Sequence, residues 1–487
     1  MSTRVTINPI TRLEGHGKIE IFLNDAGDVE RAFFQVPEVR GFETFCIGRP
    51  SEEMPRITER ICGVCPTAHH MASTKCLDDL WGVEPTRAAW LIRRLVYNAF
   101  TFEDHNLHFF FLGGPDFIVG PTAPAAERNI LGVIGKVGLE IAGKLIKIRR
   151  ETRNIIQTIG GKVVHPVFGL PGGVSRGINE EERQKFLEVA KEAVGFAEFA
   201  LQAFADIVLA NKAYVDLILS DGYTHKTYYM GLVDDNKKVD FYERRVRVVD
   251  PAGKEFALFE PRDYVEHISE HVEPWSYITF PFLKKVGWKG FVDGPESGVY
   301  RVAPLARLNA SEGMRTPKAQ EHHDKLFATL GGKPAHNTLA FHWARLVEAL
   351  QAAEEMVTLL SDDEITSDDI RNLPTKTPVE GVGILEAPRG TLIHHYWTDP
   401  DGILTRVNLI VATNHNSAPM AMSVEKAAKA VIKGGKVDDG LLNMVEMAFR
   451  PYDPCHACAT HAVGHSPLIA NIYGPEGELV QTVRRDG

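Results

Sequence analysis

Two Cys-x-x-Cys pairs, Cys62/Cys65 and Cys455/Cys458, stand at opposite ends of a 487-residue chain. Each pair can offer two thiolates to one metal, and two pairs make a four-sulfur set. If all four serve one site, the fold must close across 455 − 62 = 393 residues. A structural zinc ribbon matches this poorly, because such sites staple a local loop with pairs ~15–20 residues apart. Glycine-flanked, partly open thiolates suit soft, redox-active metals such as nickel and iron. An iron–sulfur cluster is the intermediate reading, and spacing alone does not separate it from a bimetallic site. Pro66 is a natural first helical residue, so Cys65 is expected at a helix N-terminus, where the dipole favours thiolate. Cys46 and Cys76 stand alone. Cys46 reads as a small buried apolar residue, and six cysteines are too few for a secreted disulfide scaffold.

The rest of the chain is ordinary for a globular protein, with 44% hydrophobic and 24% charged residues. A net charge of −10 argues against a nucleic-acid surface. The most apolar run, Val407 to Val424, is interrupted by Asn408, Asn414, His415, Asn416 and Ser417, so no transmembrane segment is expected. Residues 1–4 lead into alternating residues with no apolar signal core. The expected location is the cytoplasm, or export on a signal-bearing partner.

Residues 4–7, 17–23 and 29–36 alternate like strands, the last two around Asp25-Ala26-Gly27-Asp28. Helical spacing marks 86–112, 130–148, 179 to about 220, and 335–361. Strand patterns return at 239–259, 383–397 and 402–411. The expected class is α+β, mainly α. A central bundle of long helices carries peripheral β-hairpins, and the N- and C-terminal Cys pairs meet at one buried metal site. Residues 1–487 read as one catalytic unit. Within it, 1–85 is a β region with the first Cys motif, 86–361 is mainly helical, 378–461 holds β segments and the second Cys motif, and 462–487 is a tail. The tail's stretches 468–473 and 478–483 flank Gly474-Pro475-Glu476-Gly477, a hairpin signal.

Seven short blocks, in order, resemble those of nickel–iron hydrogenase large subunits. They are Arg12-Leu13-Glu14-Gly15-His16, Arg40-Gly41-Phe42-Glu43, and Arg60 to Cys65 with His69 four residues on. Ala72 to Cys76 is the fourth. Asp104-His105-Asn106-Leu107-His108-Phe109, Glu386-Ala387-Pro388-Arg389-Gly390, and Asp453-Pro454-Cys455 to His461 complete the series. The style is closest to the cytoplasmic, methyl-viologen-reducing type.

The resemblance implies reversible heterolytic splitting of H2 into protons and electrons. Cys62 and Cys455 would be terminal on nickel, while Cys65 and Cys458 would bridge nickel to an iron carrying CO and two cyanides. The proton would go to Cys455 or to Arg389. Arginine's high pKa argues for electrostatic support instead, with Asp104 and Asp453 as its carboxylate partners. Glu14 would be the first proton relay. Glu43, the Leu409 carbonyl and His461 would hold Mg2+ or Fe. Thr413 would hydrogen-bond a cyanide, although Ala412 departs from the family, where proline is common. His69 would orient the diatomic ligands or a bridging sulfur, with His105 and His108 structural. Four of six cysteines are thus committed, so electrons must leave through an iron–sulfur small subunit docked near the first cysteine loop. Further partners would be of heterodisulfide-reductase type, or linked to F420 or NAD(P). No Rossmann glycine fingerprint is present. A protease is expected to remove 462–487 after His461. The alternatives are a hydrogen sensor with the same metals and a four-Cys zinc protein.

Overall fold

Period-two stretches near the N-terminus become strands β1 (Thr3–Ile7), β2 (Lys18–Leu23) and β3 (Val29–Gln35), an antiparallel meander ordered β1-β2-β3. The computed structural model describes residues 3–460 and the backbone of 468–473 and 479–485. Ile19, Ile21, Leu23 and Phe34 face the core, while the alternate residues are more exposed. Helix α1 (Pro66–Trp81) starts with Cys65 as N-cap and Pro66 as first residue. Helix α2 (Arg87–Leu107) is capped by Thr86, whose side chain accepts from Ala89 N–H, and it ends in a wider turn over His108–Gly113.

Two expected helices are broken. The first splits into α3 (Ile130–Val137) and α4 (Leu139–Gly160) at Gly138, whose φ of 86° is left-handed and cannot continue a helix. The second is α5 (Glu180–Phe204), opened by a capping box between Asn179 and Glu182. It widens at Ala205–Leu209 and turns by 91° into α6 (Lys212–Leu219), where Asn211 caps the new start. No single helix among the described residues is long and apolar enough to cross a membrane. That bent pair passes the same test of length and composition only when taken together.

A second sheet runs β7-β4-β5-β6, from β4 (Tyr228–Val233), β5 (Arg245–Val249), β6 (Glu255–Phe259) and β7 (Tyr300–Arg301), the last parallel to β4. The β5–β6 hairpin turns where Asp250-Pro251-Ala252-Gly253 interrupts the strand pattern. Helix α7 (Phe341–Leu360) packs against α2 and α5, and α4 packs against both of these. The third sheet, β8 (Glu380–Ala387), β9 (Gly390–Thr398) and β10 (Leu404–Ile410), is antiparallel and lies on α1. Helix α1 can come this close because β8 carries glycines. A Cβ on Gly383 would stand 2.2 Å from Ala72 O and 2.5 Å from Cys76 N. Helix α8 (Ser417–Val431) follows, packed on β3. In the tail, β11 (Leu468–Tyr473) and β12 (Leu479–Arg485) pair antiparallel.

Candidate metal centre

The two cysteine pairs meet. The four sulfur atoms of Cys62, Cys65, Cys455 and Cys458 lie within 4.8 Å of one another, and all four residues are buried. Cys62 and Cys455 are 3.1 Å apart, Cys65 and Cys458 3.4 Å, and Cys455 and Cys458 2.7 Å. None of the four is held in a disulfide. Each pair sits at the entry to a helix. Cys62 follows a short turn over Glu59–Ile61, and Cys65 caps α1. Cys455 caps a single turn over His456–Ala459. The backbone N–H groups of Val64 and Cys65 point at Cys62 Sγ, 3.2 and 3.3 Å away.

Protons are unevenly held here. Burial opposes charge on Cys62, but hydrogen bonds from Cys455, Cys458 and Cys65, then the charge of Arg389, outweigh it and hold the thiol well below its ordinary range. Burial pushes Cys455 and Cys458 well up. Without a metal the cluster therefore favours thiolate at Cys62, and a thiophilic cation must displace the remaining protons.

Residues near position 14 bind the second pair like a strand. Glu14 N–H donates to Pro454 O at 3.2 Å, and His456 N–H donates to Glu14 O at 3.0 Å. Gly15, with φ 81°, permits this approach, since a Cβ would stand 2.9 Å from His456 Cβ. The Glu14 carboxylate then accepts from the Cys455 thiol at 3.0 Å and from Ala457 N–H at 3.1 Å. Burial and the Cys62 charge raise its pKa, against those two hydrogen bonds.

Arg389 spans two carboxylates, Asp104 at 3.1 Å and Asp453 at 3.0 Å. Burial opposes its charge, but Asp104, Asp453 and the sulfurs hold it well above its ordinary value. Burial, with the Asp453 charge adding to it, pushes Asp104 up although the guanidinium pulls the other way. Arg345 reaches Asp453 at 3.4 Å and the Pro388 carbonyl at 3.3 Å. Arg307 donates to Glu348, to Glu386 and, at 2.9 Å, to Ala387 O, holding the end of β8. Asp104 Oδ1 and Arg389 Nε are buried with no hydrogen-bond partner among the described residues.

The other expected site residues fall around this core. Thr413 Oγ1 accepts from Cys455 N–H at 3.0 Å. Glu43 Oε1 accepts from the backbone N–H of Leu409 at 2.6 Å. His69 Nε2 lies 3.4 Å from Cys458 Sγ. His105 bonds Glu348 and His108 bonds the Arg450 carbonyl. His461 lies outside the described residues. Sequence reasoning missed Arg307, Arg345, His394 and Tyr396. The last two had a readable signal, since His394 and Tyr396 are two apart and so share one face of a strand.

Four buried sulfurs, a fixed guanidinium whose charge they feel and unpartnered polar atoms on Arg389 and Asp104 suit a redox-active metal pair with small polar ligands. A zinc site needs only the sulfurs. The family model described as nickel-dependent hydrogenase matches residues 40–129 and 143–461, and one described as HoxL-like matches 4–39. A relative from Archaeoglobus profundus, an F420-non-reducing hydrogenase iron–sulfur subunit, is 50% identical over 99% of both chains. The beta subunit of the NAD-reducing hydrogenase HoxS of Cupriavidus necator is 36% identical over 99% of both. A solved NAD+-reducing [NiFe]-hydrogenase, in its H2-reduced state, superposes with a TM-score of 0.89. It is 37% identical, over 95% of this chain and 100% of that one.

Proposed function

The chain belongs to the nickel-dependent hydrogenase family, as a large subunit of nickel–iron type, and on that premise we propose how its residues serve the reaction. The observation that carries the reading is the closure of two distant Cys pairs into one buried four-sulfur site. The sulfurs of Cys62, Cys65, Cys455 and Cys458 would hold a nickel–iron centre with CO and two cyanides, Cys62 and Cys455 on the nickel side and Cys65 and Cys458 towards the iron. When bound, the centre would polarise H2 as a Lewis acid and take up its electrons. The Cys455 sulfur takes the proton. Arg389 is a poor base, because two carboxylates lock it in its charged form, and it acts by its field. Glu14 Oε2, 3.0 Å from Cys455 Sγ and raised in pKa by burial, receives the proton next.

Thr413 accepts from Cys455 N–H, which leaves its own O–H to donate to a cyanide. Glu43, the Leu409 carbonyl and His461 would hold Mg2+ or Fe. The bond from Leu409 N–H to Glu43 supports this by keeping the carboxylate beside that segment. The long helices form one central bundle with the hairpins peripheral, and residues 1–487 form one unit, of which the active enzyme keeps all but the tail 462–487. Electrons leave to an iron–sulfur small subunit. Beyond it the acceptor is of the methyl-viologen-reducing, heterodisulfide-reductase-coupled kind, with F420 or NAD(P) linkage next, in the cytoplasm. Residues 462–487 are removed after His461, where the family match also ends. The test is H2-dependent viologen reduction by the complex purified with its small subunit, with nickel and iron counted. Stoichiometric zinc, or nickel without turnover, overturns the reading.

A further inference from the structure

Arg389 stands in a two-residue hairpin turn that its own residues do not fix. Strands β8 and β9 pair down to Ala387 and Gly390, so Pro388 and Arg389 make the whole loop. Loops of this length favour turns with a positive φ at the first central residue, which matches the twist of the flanking strands. The Pro388 ring forbids that φ, and neither Pro388 nor Arg389 takes it; Gly390 does instead, at 128°. Local preference therefore leaves the aim of Arg389 open, and groups outside the turn set it.

Two buried guanidiniums do this. The Pro388 carbonyl, bonded directly to the Arg389 nitrogen, accepts from Arg345 Nη1 at 3.3 Å and from Arg307 Nη2 at 3.4 Å. Arg345 also holds the other half of the site. Its Nη2 donates to Pro451 O at 3.2 Å, and its Nη1 lies 3.4 Å from the Asp453 carboxylate, which Arg389 faces as well. One side chain thus touches both the turn that bears Arg389 and the loop that leads to Cys455.

Arg345 is itself pinned. It is 0% exposed, and the remaining Nη1 proton goes to His105 Nδ1 at 3.1 Å. A guanidinium can only donate, so His105 Nδ1 accepts, and its Nε2–H donates to Glu348 at 3.0 Å. Burial lowers the His105 pKa to about 4, in keeping with a neutral ring. Glu348 closes the circuit by accepting from Arg307 at 2.7 and 2.6 Å. Arg345 and Glu348, three apart on α7, share one face. On α2 the adjacent Asp104 and His105 take Arg389 and Arg345 respectively.

We propose that Arg345 is a positioning residue for the hydrogen-splitting reaction. By holding the Pro388 and Pro451 carbonyls and sharing Asp453, it sets where the charge of Arg389 stands relative to the four sulfurs. A guanidinium suits this task better than an ammonium, because its nitrogens lie fixed in one plane and meet several acceptors at once. The inference rests on the reading that Arg389 acts by its field on a nickel–iron centre.

The test uses the full complex with its small subunit. Nickel and iron are counted first, then the infrared stretches of CO and cyanide are read, which respond to charge near them, together with kcat and KM for H2. Arg345→Met should keep the metals, shift those bands and lower kcat by about 10²-fold with KM unchanged, the loss expected for a displacement of about 1 Å. Arg345→Lys, which returns a cation beside Asp453 without the planar fork, should bring bands and kcat part of the way back. Wild-type bands and kcat in Arg345→Met at full metal overturn the inference. Reduced metal content with unmoved bands in the centres that remain also overturns it, since a merely structural role predicts that result. Should Arg345→Met not fold, Arg345→Lys decides alone: displaced bands at full metal support the inference, and wild-type bands and kcat overturn it. Absence of CO and cyanide bands from the wild-type complex overturns the underlying reading instead.

Discussion

Neutralising Asp116 should unbalance a buried ionic cluster that joins the two ends of the chain. Its carboxylate receives Arg12 at 2.5 Å, Arg450 at 3.0 Å and Asn443 at 3.0 Å. Arg450 also pairs with Glu446, which accepts from Thr11 N–H at 2.8 Å. Two guanidiniums thus face two carboxylates, with the Arg450 and Asp116 side chains 0% and 2% exposed. Burial and the charge of Arg450 already press Arg12 below its ordinary range. Asp116→Asn leaves one positive charge in excess. Removing one partner of a buried pair costs about 3–5 kcal/mol, and the retained amide oxygen places this change near the lower end, about 3 kcal/mol. An unfolding entropy of ~2.1 cal/mol/K per residue amounts to about 1 kcal/mol/K for 487 residues, so the melting temperature should fall by about 3 °C. The assay is circular dichroism melting of the metal-free chain at two scan rates. Arg12→Gln added to Asp116→Asn restores the balance of Arg450 with Glu446, and the double variant should melt above the single one. Additive losses in the double variant, or an unchanged single variant, would refute the charge-balance argument.

Gly383→Ala should push α1 off the sheet, because the new Cβ meets backbone atoms at 2.2 and 2.5 Å. A loss of about 1–3 kcal/mol or more and reduced nickel content are expected, with Gly177→Ala, whose nearest contact is an ordinary 3.4 Å, as control. Asp240, buried between Arg94 and Arg315, is held down to about 2 against the cost of its burial. Its depressed pKa contributes about 2 kcal/mol that is fully present above pH ~4 and lost as pH falls towards ~2. Denaturant unfolding of wild type and Asp240→Asn should therefore converge across that window, and a constant gap contradicts the assignment. Glu14→Gln should keep its metals yet slow hydrogen–deuterium exchange by about 10²–10⁴-fold, and normal exchange at full loading removes Glu14 from the relay. Intact mass of active, nickel-loaded enzyme should end at His461; turnover by the full 487-residue chain would show that the tail can stay.

Chemistry was more legible than architecture, and the reason lies in how far each signal reaches. Metal ligation demands particular residues at fixed spacing, so both cysteine pairs, Glu14 and Arg389 stood out as short blocks. Strand β4 did not, because all six of its residues are buried and the run Tyr-Tyr-Met-Gly-Leu-Val lacks the alternation of a half-exposed strand. The break at Gly138 was hidden among four glycines that helical spacing tolerates, although only Gly138 takes a left-handed φ among them. Arg307, Glu348 and Glu386 were unreadable as a unit, since no local pattern links residues 38 to 79 positions apart. The proximity of Cys62 to Cys455 was expected from chemistry alone, with no periodicity pointing to it.

That proximity also sets a clock on synthesis. The two halves of the site are separated by 393 residues of translation. At roughly 5–20 residues per second, about 20–80 s pass between the first pair leaving the ribosome's catalytic centre and the second. Throughout that interval the nascent chain carries half a binding site, two thiols without the sulfurs and the guanidinium that complete it. Such a half-site has no geometry with which to refuse copper or zinc, both of which bind sulfur more readily than iron does. Faithful loading therefore belongs to the finished chain, and the order of residues along the polypeptide works as a delay that keeps the centre from existing before its selectivity does.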